Sequence, residues 1–187
     1  MVPWKCIGVV LKAGQREMAP LLERVLGCAA ERGLDAVLDE QAAATQGATG
    51  HSLAETVARA DLVIVLGGDG TVLATARAIG PRDVPILGLN LGRLGFLTEF
   101  APDDVDQALG RVLDGEYAIQ QRARLEVVTW EDEREVDAGL VLNDAVFSKG
   151  PDVARLIELD AEVDERGIGS FRVDGLIVST PDRKSVV

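Results

Sequence analysis

Little in this chain could cross a membrane, hold a structural metal or grip a polyanion. No apolar run approaches the roughly 18–20 residues of a membrane span. The opening MVPWKCIGVV enters a strand-like run at once, with no basic leader and no cleavage site, so secretion is not indicated. The two cysteines, Cys6 and Cys28, sit in apolar surroundings at no metal-ligand spacing. Both are read as buried thiols of a reducing cytoplasm, not as a disulfide. The one histidine, His51, precedes a helix-cap pattern and is read as a surface residue without a catalytic role. Basic residues are scarce: 19 Lys and Arg face 31 Asp and Glu, for a net charge of −12. That balance argues against nucleic acid or an anionic membrane as partner. An anionic ligand would have to be held by backbone amides, a few arginines or a metal ion. No low-complexity segment and no internal repeat is evident.

What is present folds. Hydrophobic residues make up 47% of 187 and charged residues 27%, enough for one ordinary domain or for one domain and part of a second. CIGVVL (Cys6–Leu11), Asp35–Leu38, LVIVL (Leu62–Leu66) and PILGL (Pro85–Leu89) read as strands. Between them, Gln15–Arg32 carries apolar residues at helical spacing and is followed by Gly33. Gln46–Gly50 is loop, Ser52 and Glu55 form a capping-box pattern for a helix to about Ala60, and a further helix spans Thr71 to about Ile79. Apolar strands alternating with helices predict a parallel sheet covered on both faces, with ligands at the carboxyl ends of its strands. Asp103–Gly115 is one more helix. Beyond it the pattern changes to strand-like runs only, Ile119–Trp130, Gly139–Phe147, Ile157–Val163 and Phe171–Ser179, joined by the polar turns Glu131–Glu135 and Asp164–Gly169. The expected fold is therefore an α/β N-terminal domain with a Rossmann-like parallel sheet, residues 1–116. An all-β antiparallel sandwich domain, incomplete, follows over residues 117–181.

The chemistry points to Gly67-Gly68-Asp69-Gly70-Thr71, between a strand and a helix. Glycines let a ligand approach the backbone, and the helix N-terminus favours phosphate. There is neither GK[ST] nor GxGxxG. An aspartate among phosphate-binding glycines repels phosphate unless it accepts a proton from an attacking hydroxyl or helps hold a metal. The rival reading is a tight turn with Asp69 as helix cap.

GGDGT resembles the signature shared by NAD kinases, diacylglycerol and sphingosine kinases and, more loosely, phosphofructokinases. LGLNLGRLGFLTEF (Leu87–Phe100), LNDAVFSKG (Leu142–Gly150) and VDGLIVSTP (Val173–Pro181) resemble, in order, further segments of the NAD kinase family. The resemblance covers residues 5–181. It implies transfer of the γ-phosphoryl of ATP, or of polyphosphate in some members, to the 2′-hydroxyl of the adenosine ribose of NAD, giving NADP. It implies a divalent cation, Mg²⁺ or Mn²⁺, a homo-oligomer and a cytoplasmic location. Asp69 falls on the catalytic aspartate, with Gly68, Gly70 and Thr71 lining the same nucleotide loop. Asn143 and Asp144 match the pair that contacts adenine and ribose, Arg155 a basic position after it, and Arg172 and Asp174 a further binding pair. No residue is assigned as a metal ligand. Rival readings stay open: Asn143-Asp144 as a turn, Arg155 and Arg172 as charged faces of edge strands, Asp174-Gly175 as a hairpin turn, and Lys12 and Arg93 as loop residues. Val72, Leu73 and Ala74 stand where many members carry a basic residue. A lipid kinase shares only GGDGT. A non-catalytic nucleotide-binding or subunit-interaction module is the alternative from another class.

After Pro181 the register of the resemblance is lost. DRKSVV stands where the family reads TGSTAY. Residues 182–187 are expected to be a non-native tail translated from adapter sequence, and the chain as written an inactive fragment.

Overall fold

The computed structural model describes residues 4–90, 95, 97, 98, 100, 105–150 and 155–181. Arg93, Asp103 and residues 182–187, singled out above, lie outside the described residues. The chain divides into two compact units, Met1–Gln121 and Arg122–Val187.

The first unit is built on a four-stranded parallel sheet, β1 (Cys6–Leu11), β2 (Asp35–Leu38), β3 (Leu62–Leu66) and β4 (Ile86–Leu89), in the order β2-β1-β3-β4. The helices are α1 (Ala19–Glu31), α2 (Glu40–Thr45), α3 (Leu53–Arg59), α4 (Asp69–Ile79) and α5 (Val105–Leu113). Alternation along the strands divides the core in two. Ile7, Val9 and Leu11 of β1, with Leu62, Ile64 and Leu66 of β3, pack on Leu21, Leu22, Val25 and Ala29 of α1 and Val105, Leu109 and Leu113 of α5. Val10, Val63 and Val65 face the other way, onto Val57 of α3 and Val72 and Ile79 of α4. All of β3 is buried, which is why LVIVL contains no polar residue.

Local chemistry sets the helix ends. A 3-10 turn over Arg16–Met18 precedes α1, and Pro20 occupies its first turn, so the helix begins later than the periodicity predicts. Gly33 follows at φ 67°. The capping box of α3 forms as the sequence reads: Ser52 Oγ accepts from Glu55 N, and Ser52 N donates to the Glu55 carboxylate. Two arginine–aspartate pairs stitch α5 to α1. Arg24 Nε meets Asp106 at 2.7 Å, and Arg32 bonds Asp114 through Nε at 2.7 Å and Nη2 at 3.0 Å. Cys6 and Cys28 are free thiols, and both are half-buried, not buried as the sequence suggests. Cys6 opens an element and Cys28 lies on the flank of α1. Burial pushes both thiols up. Among the described residues no helix is long and apolar enough to cross a membrane.

The second unit consists of antiparallel strands, as expected for its class: β5 (Leu125–Glu131), β6 (Arg134–Val141), β7 (Asp144–Ser148), β8 (Ile157–Val163), β9 (Arg166–Val173) and β10 (Gly175–Ser179). They pair as β5-β6, β8-β9 and β10-β7. Ile119–Arg124, predicted as strand, lies outside any strand. The predicted strand Gly139–Phe147 is broken at Leu142-Asn143, and Phe171–Ser179 is broken at Asp174. Repetition also emerges that the sequence does not advertise. Both hairpins close on Asp-Glu at positive φ (Asp132-Glu133 and Asp164-Glu165), each followed by arginine, and both shift register at the same distance from the turn.

Asp39 generates a test of this framework. It is 7% exposed, caps α2 by accepting from Ala42 N at 2.8 Å, and also accepts from Leu11 N at 3.3 Å. Burial pushes its carboxyl up, and the backbone donors pull it back only in part. A raised carboxyl adds stability that is full below the ordinary aspartate range and is lost as pH rises through the raised value. Asp39→Asn keeps the accepting oxygen without the charge. In urea melts it is expected to be at least as stable as the parent at pH 7, with the difference closing as the pH is lowered. Asp39→Ala is expected to cost about 1–2 kcal/mol at both ends of the range. Asp106 and Asp114 act in the opposite sense. Their arginine partners hold them below the usual carboxylate range, so their contribution is present above it and lost as pH falls.

Candidate active site

Topology places the site in the first unit. From β1 the chain moves outward to β2 on one side, and from β3 to β4 on the other. The carboxyl ends of β1 and β3 therefore flank the point where strand order reverses, and open α/β sheets bind ligands there. Lys12 N donates to Leu66 O at 2.9 Å and Gly67 N to Leu89 O at 3.0 Å, which ties these strand ends together.

GGDGT leaves β3 at this point, and its first glycine has no room for a side chain. A Cβ on Gly67 would stand 2.8 Å from Thr71 Oγ1 and 3.0 Å from the Lys12 Cβ. Gly68 is the N-cap of α4 and lies beside Asn90, at the end of β4. Gly70 is exposed, with open space where a Cβ would be. Thr71 N donates to Gly68 O at 3.0 Å, closing the first turn. Asp69 is the first residue of α4, earlier than the predicted start at Thr71, and it is not the cap. No side chain caps this helix, and the half-buried Asp69 carboxylate turns to the segment after β4, where Oδ1 accepts from Leu97 N at 3.0 Å. An anionic group in the first turn also suits the helix dipole. The arrangement offers a fixed carboxylate, a helix N-terminus and open backbone in one place, which suits proton removal beside a bound phosphate.

The sequence reading missed Asn90, Gly95, Leu97 and Thr98 as members of this site, although all lie within the quoted LGLNLGRLGFLTEF. Their signal was the glycines. A Cβ on Gly88 would meet Leu97 O at 2.9 Å, and one on Gly95 would fall on Asp69 Oδ1.

The second unit holds the other expected residues, and it gathers only some of them. Asn143 lies in the bend between β6 and β7, and Asp144 opens β7 opposite Ser179. Thr180 N donates to Asn143 O at 2.8 Å, so this pair and the Ser179-Thr180 stretch share one end of the β7–β10 ribbon. Asp174 belongs to the other end: its carbonyl accepts from Lys149 N at 3.1 Å, and its carboxylate lies 2.6 Å from Lys149 Nζ. Asp174-Gly175 is not a hairpin turn, because β10 pairs with β7 and not with β9. Arg172 projects from β9 and pairs with Glu158 at 3.2 Å, both well exposed. Arg155 is exposed just before β8. In the first unit His51 is half-buried, and its Nε2 accepts from Arg59 at 3.0 Å.

Among the described residues no three His, Cys, Asp or Glu side chains cluster as a metal cage. The loop offers a divalent cation one hard oxygen donor group, Asp69. That fits Mg²⁺ or Mn²⁺ carried largely on a ligand's phosphates and waters.

The model of the ATP-NAD kinase N-terminal domain matches residues 7–117, which hold the sheet and this loop. The chain belongs to the ATP-NAD kinase family. It is 40% identical over 179 residues to an NAD kinase of Syntrophotalea carbinolica, covering 95% of this chain and 62% of that protein. It is 39% identical over 184 residues to one of Chromohalobacter salexigens, covering 97% and 62%. Against one of Geotalea daltonii identity is 50% over 123 residues, covering 66% and 43%. The chain thus spans less than two thirds of the length of the curated relatives it matches. A crystal structure of yeast NADH kinase complexed with NADH shares the fold, with TM-score 0.82 at 22% identity, over 96% of this chain and 58% of that one.

Because the loop has no room at Gly67, Gly67→Ala is expected to destabilise the first unit by about 1–3 kcal/mol in urea unfolding. Gly70→Ala, facing open space, is expected to change stability by less than about 1 kcal/mol.

Proposed function

We propose that the protein built on this chain is an NAD kinase. The observation that carries the proposal is the Asp69 carboxylate, held by the Leu97 amide at the carboxyl end of β3 and not spent on capping α4. The NAD ribose presents its 2′-hydroxyl to Asp69, which takes the proton as the oxygen attacks the γ-phosphorus of ATP. The new O2′–P bond forms, the bond to the β,γ-bridging oxygen breaks, and ADP leaves with that electron pair. The α4 N-terminus and the exposed backbone at Gly70 hold phosphate. A divalent cation, Mg²⁺ or Mn²⁺, would lie at Asp69 and offset phosphate charge when bound.

In the second unit, Asn143 and Asp144 are assigned to the nucleoside. Arg155, Arg172 and Asp174 are assigned to the remainder of the nucleotides. The exposed pair Arg172–Glu158 does not oppose this, because such pairs are worth about 0–1 kcal/mol and exchange readily for a ligand. A cytoplasmic location accords with the free thiols. Assembly as a homo-oligomer accords with the exposed Trp130, Val146, Ile168 and Ile177.

The test is NADP formation by the whole protein from NAD and ATP, with Mg²⁺ and with chelator, beside a diacylglycerol acceptor. Phosphate transfer to NAD alone is expected, with Asp69→Asn lowering kcat by about 100-fold or more. Transfer to the lipid, or an Asp69→Asn variant as active as the parent, would overturn the reading.

A further inference from the structure

We propose that Thr98 is the positioning residue for Asp69. The inference rests on Asp69 as the base of the proposed reaction, and its geometry lies wholly within the first unit. Gly95 and Thr98 are tied together by a side chain: Gly95 N donates to Thr98 Oγ1 at 3.1 Å. Thr98 is completely buried. Its methyl packs toward β4, where a Cβ on Gly88 would come within 3.0 Å of Thr98 Cγ2. The hydroxyl thus holds Gly95 from inside while the methyl anchors Thr98 to the sheet.

Two contacts accompany the Gly95–Thr98 link, and both fall on Asp69. The Leu97 N–H is aimed at Asp69 Oδ1, at 3.0 Å. Gly95 is brought so close to the same oxygen that a Cβ there would collide with it, and that Cβ would also stand 2.8 Å from Thr98 Oγ1. A carboxylate on a two-torsion side chain has several rotamers at the start of a helix. The Leu97 amide selects one, and the Thr98 hydroxyl fixes the Leu97 amide. Thr98 touches no reacting atom in this scheme; it acts through Leu97.

The hydroxyl and the packing are separable. Thr98→Val keeps the shape and loses the acceptor, whereas Thr98→Ser keeps the acceptor and loses the methyl. Amide hydrogen exchange read residue by residue in the 187-residue chain is the first measurement. Thr98→Val is expected to speed exchange at Leu97 by about tenfold or more, with β1 and β3 unchanged, and Thr98→Ser to restore protection. If the valine variant does not fold, Thr98→Ala, which relieves the packing, gives the same reading. In the whole protein the valine change is expected to lower kcat by about tenfold, with KM for NAD and ATP held within about twofold and kcat recovered in the serine variant. An unchanged Leu97 amide in the valine or alanine variant, or an unchanged kcat in an active valine variant, overturns the proposal. If the whole protein makes no NADP, the kinase reading falls separately, and exchange at Leu97 still decides whether Thr98 sets Asp69.

Discussion

Everything in the first unit depends on β3 being buried on both faces and along both edges. A strand with β1 on one side, β4 on the other and a helical layer above and below has no route to solvent except at its ends. Its carboxyl end is therefore where polar chemistry can begin, and GGDGT begins there. The absence of side chains at Gly67, Gly88 and Gly95 lets β1 approach α4, and lets Leu97 and Thr98 lie against β4 while Gly95 reaches the Asp69 carboxylate. Burial of five apolar residues and the placing of one half-buried acidic group at the strand's end are two results of the same constraint.

The charge balance gains a local explanation. A chain at −12 repels phosphates at long range, so attraction has to be short-range and fixed. Several arginines that could have served are committed elsewhere: Arg24 and Arg32 hold α5 to α1, Arg59 bonds His51 and Arg82 donates to carbonyls of α3. The loop itself offers a helix N-terminus and glycine backbone, devices that bring partial positive charge without a cationic side chain, and Lys12 lies against Gly67. Asp69 tolerates that setting because a backbone amide already bonds its carboxylate.

The sheet and its order of elements were legible because they rest on local signals: apolar runs, a proline, a positive-φ glycine and a capping box. The short helix α2 was not read, although Asp39-Glu40 before small residues is its cap signal. In the second unit, Asn143-Asp144 and Asp174-Gly175 carry turn composition, yet each sits inside a stretch that the apolar pattern reads as one strand. The two hairpin turns were legible as polar stretches, Glu131–Glu135 and Asp164–Gly169, though their positive-φ residues are Asp-Glu and not Asn-Gly. Asp174-Gly175 carries the opposite lesson. It has the composition of a hairpin turn, yet the partner of β10 is β7, and local composition cannot choose a strand partner. The same limit applies to the site. GGDGT was legible as a loop, while the amide that orients its aspartate lies 28 residues away in sequence.

The β7–β10 ribbon constrains how the second unit can hold a ligand. Asp144 faces Ser179 at one end and Gly175 faces Ser148 at the other, with the pairs in between in unbroken register. At about 3.4 Å per residue those ends are roughly 14 Å apart. Asn143-Asp144 and Asp174 therefore stand at separate ends of the ribbon, even though both belong to motifs of the same family. If both engage nucleotide, they engage different parts of it, or different molecules. Each follows a closed Asp-Glu hairpin and introduces a strand of the shared ribbon, so each is a junction of the same kind at opposite ends. The resemblance supplies a set of residues, and strand register determines which of them can act on one group.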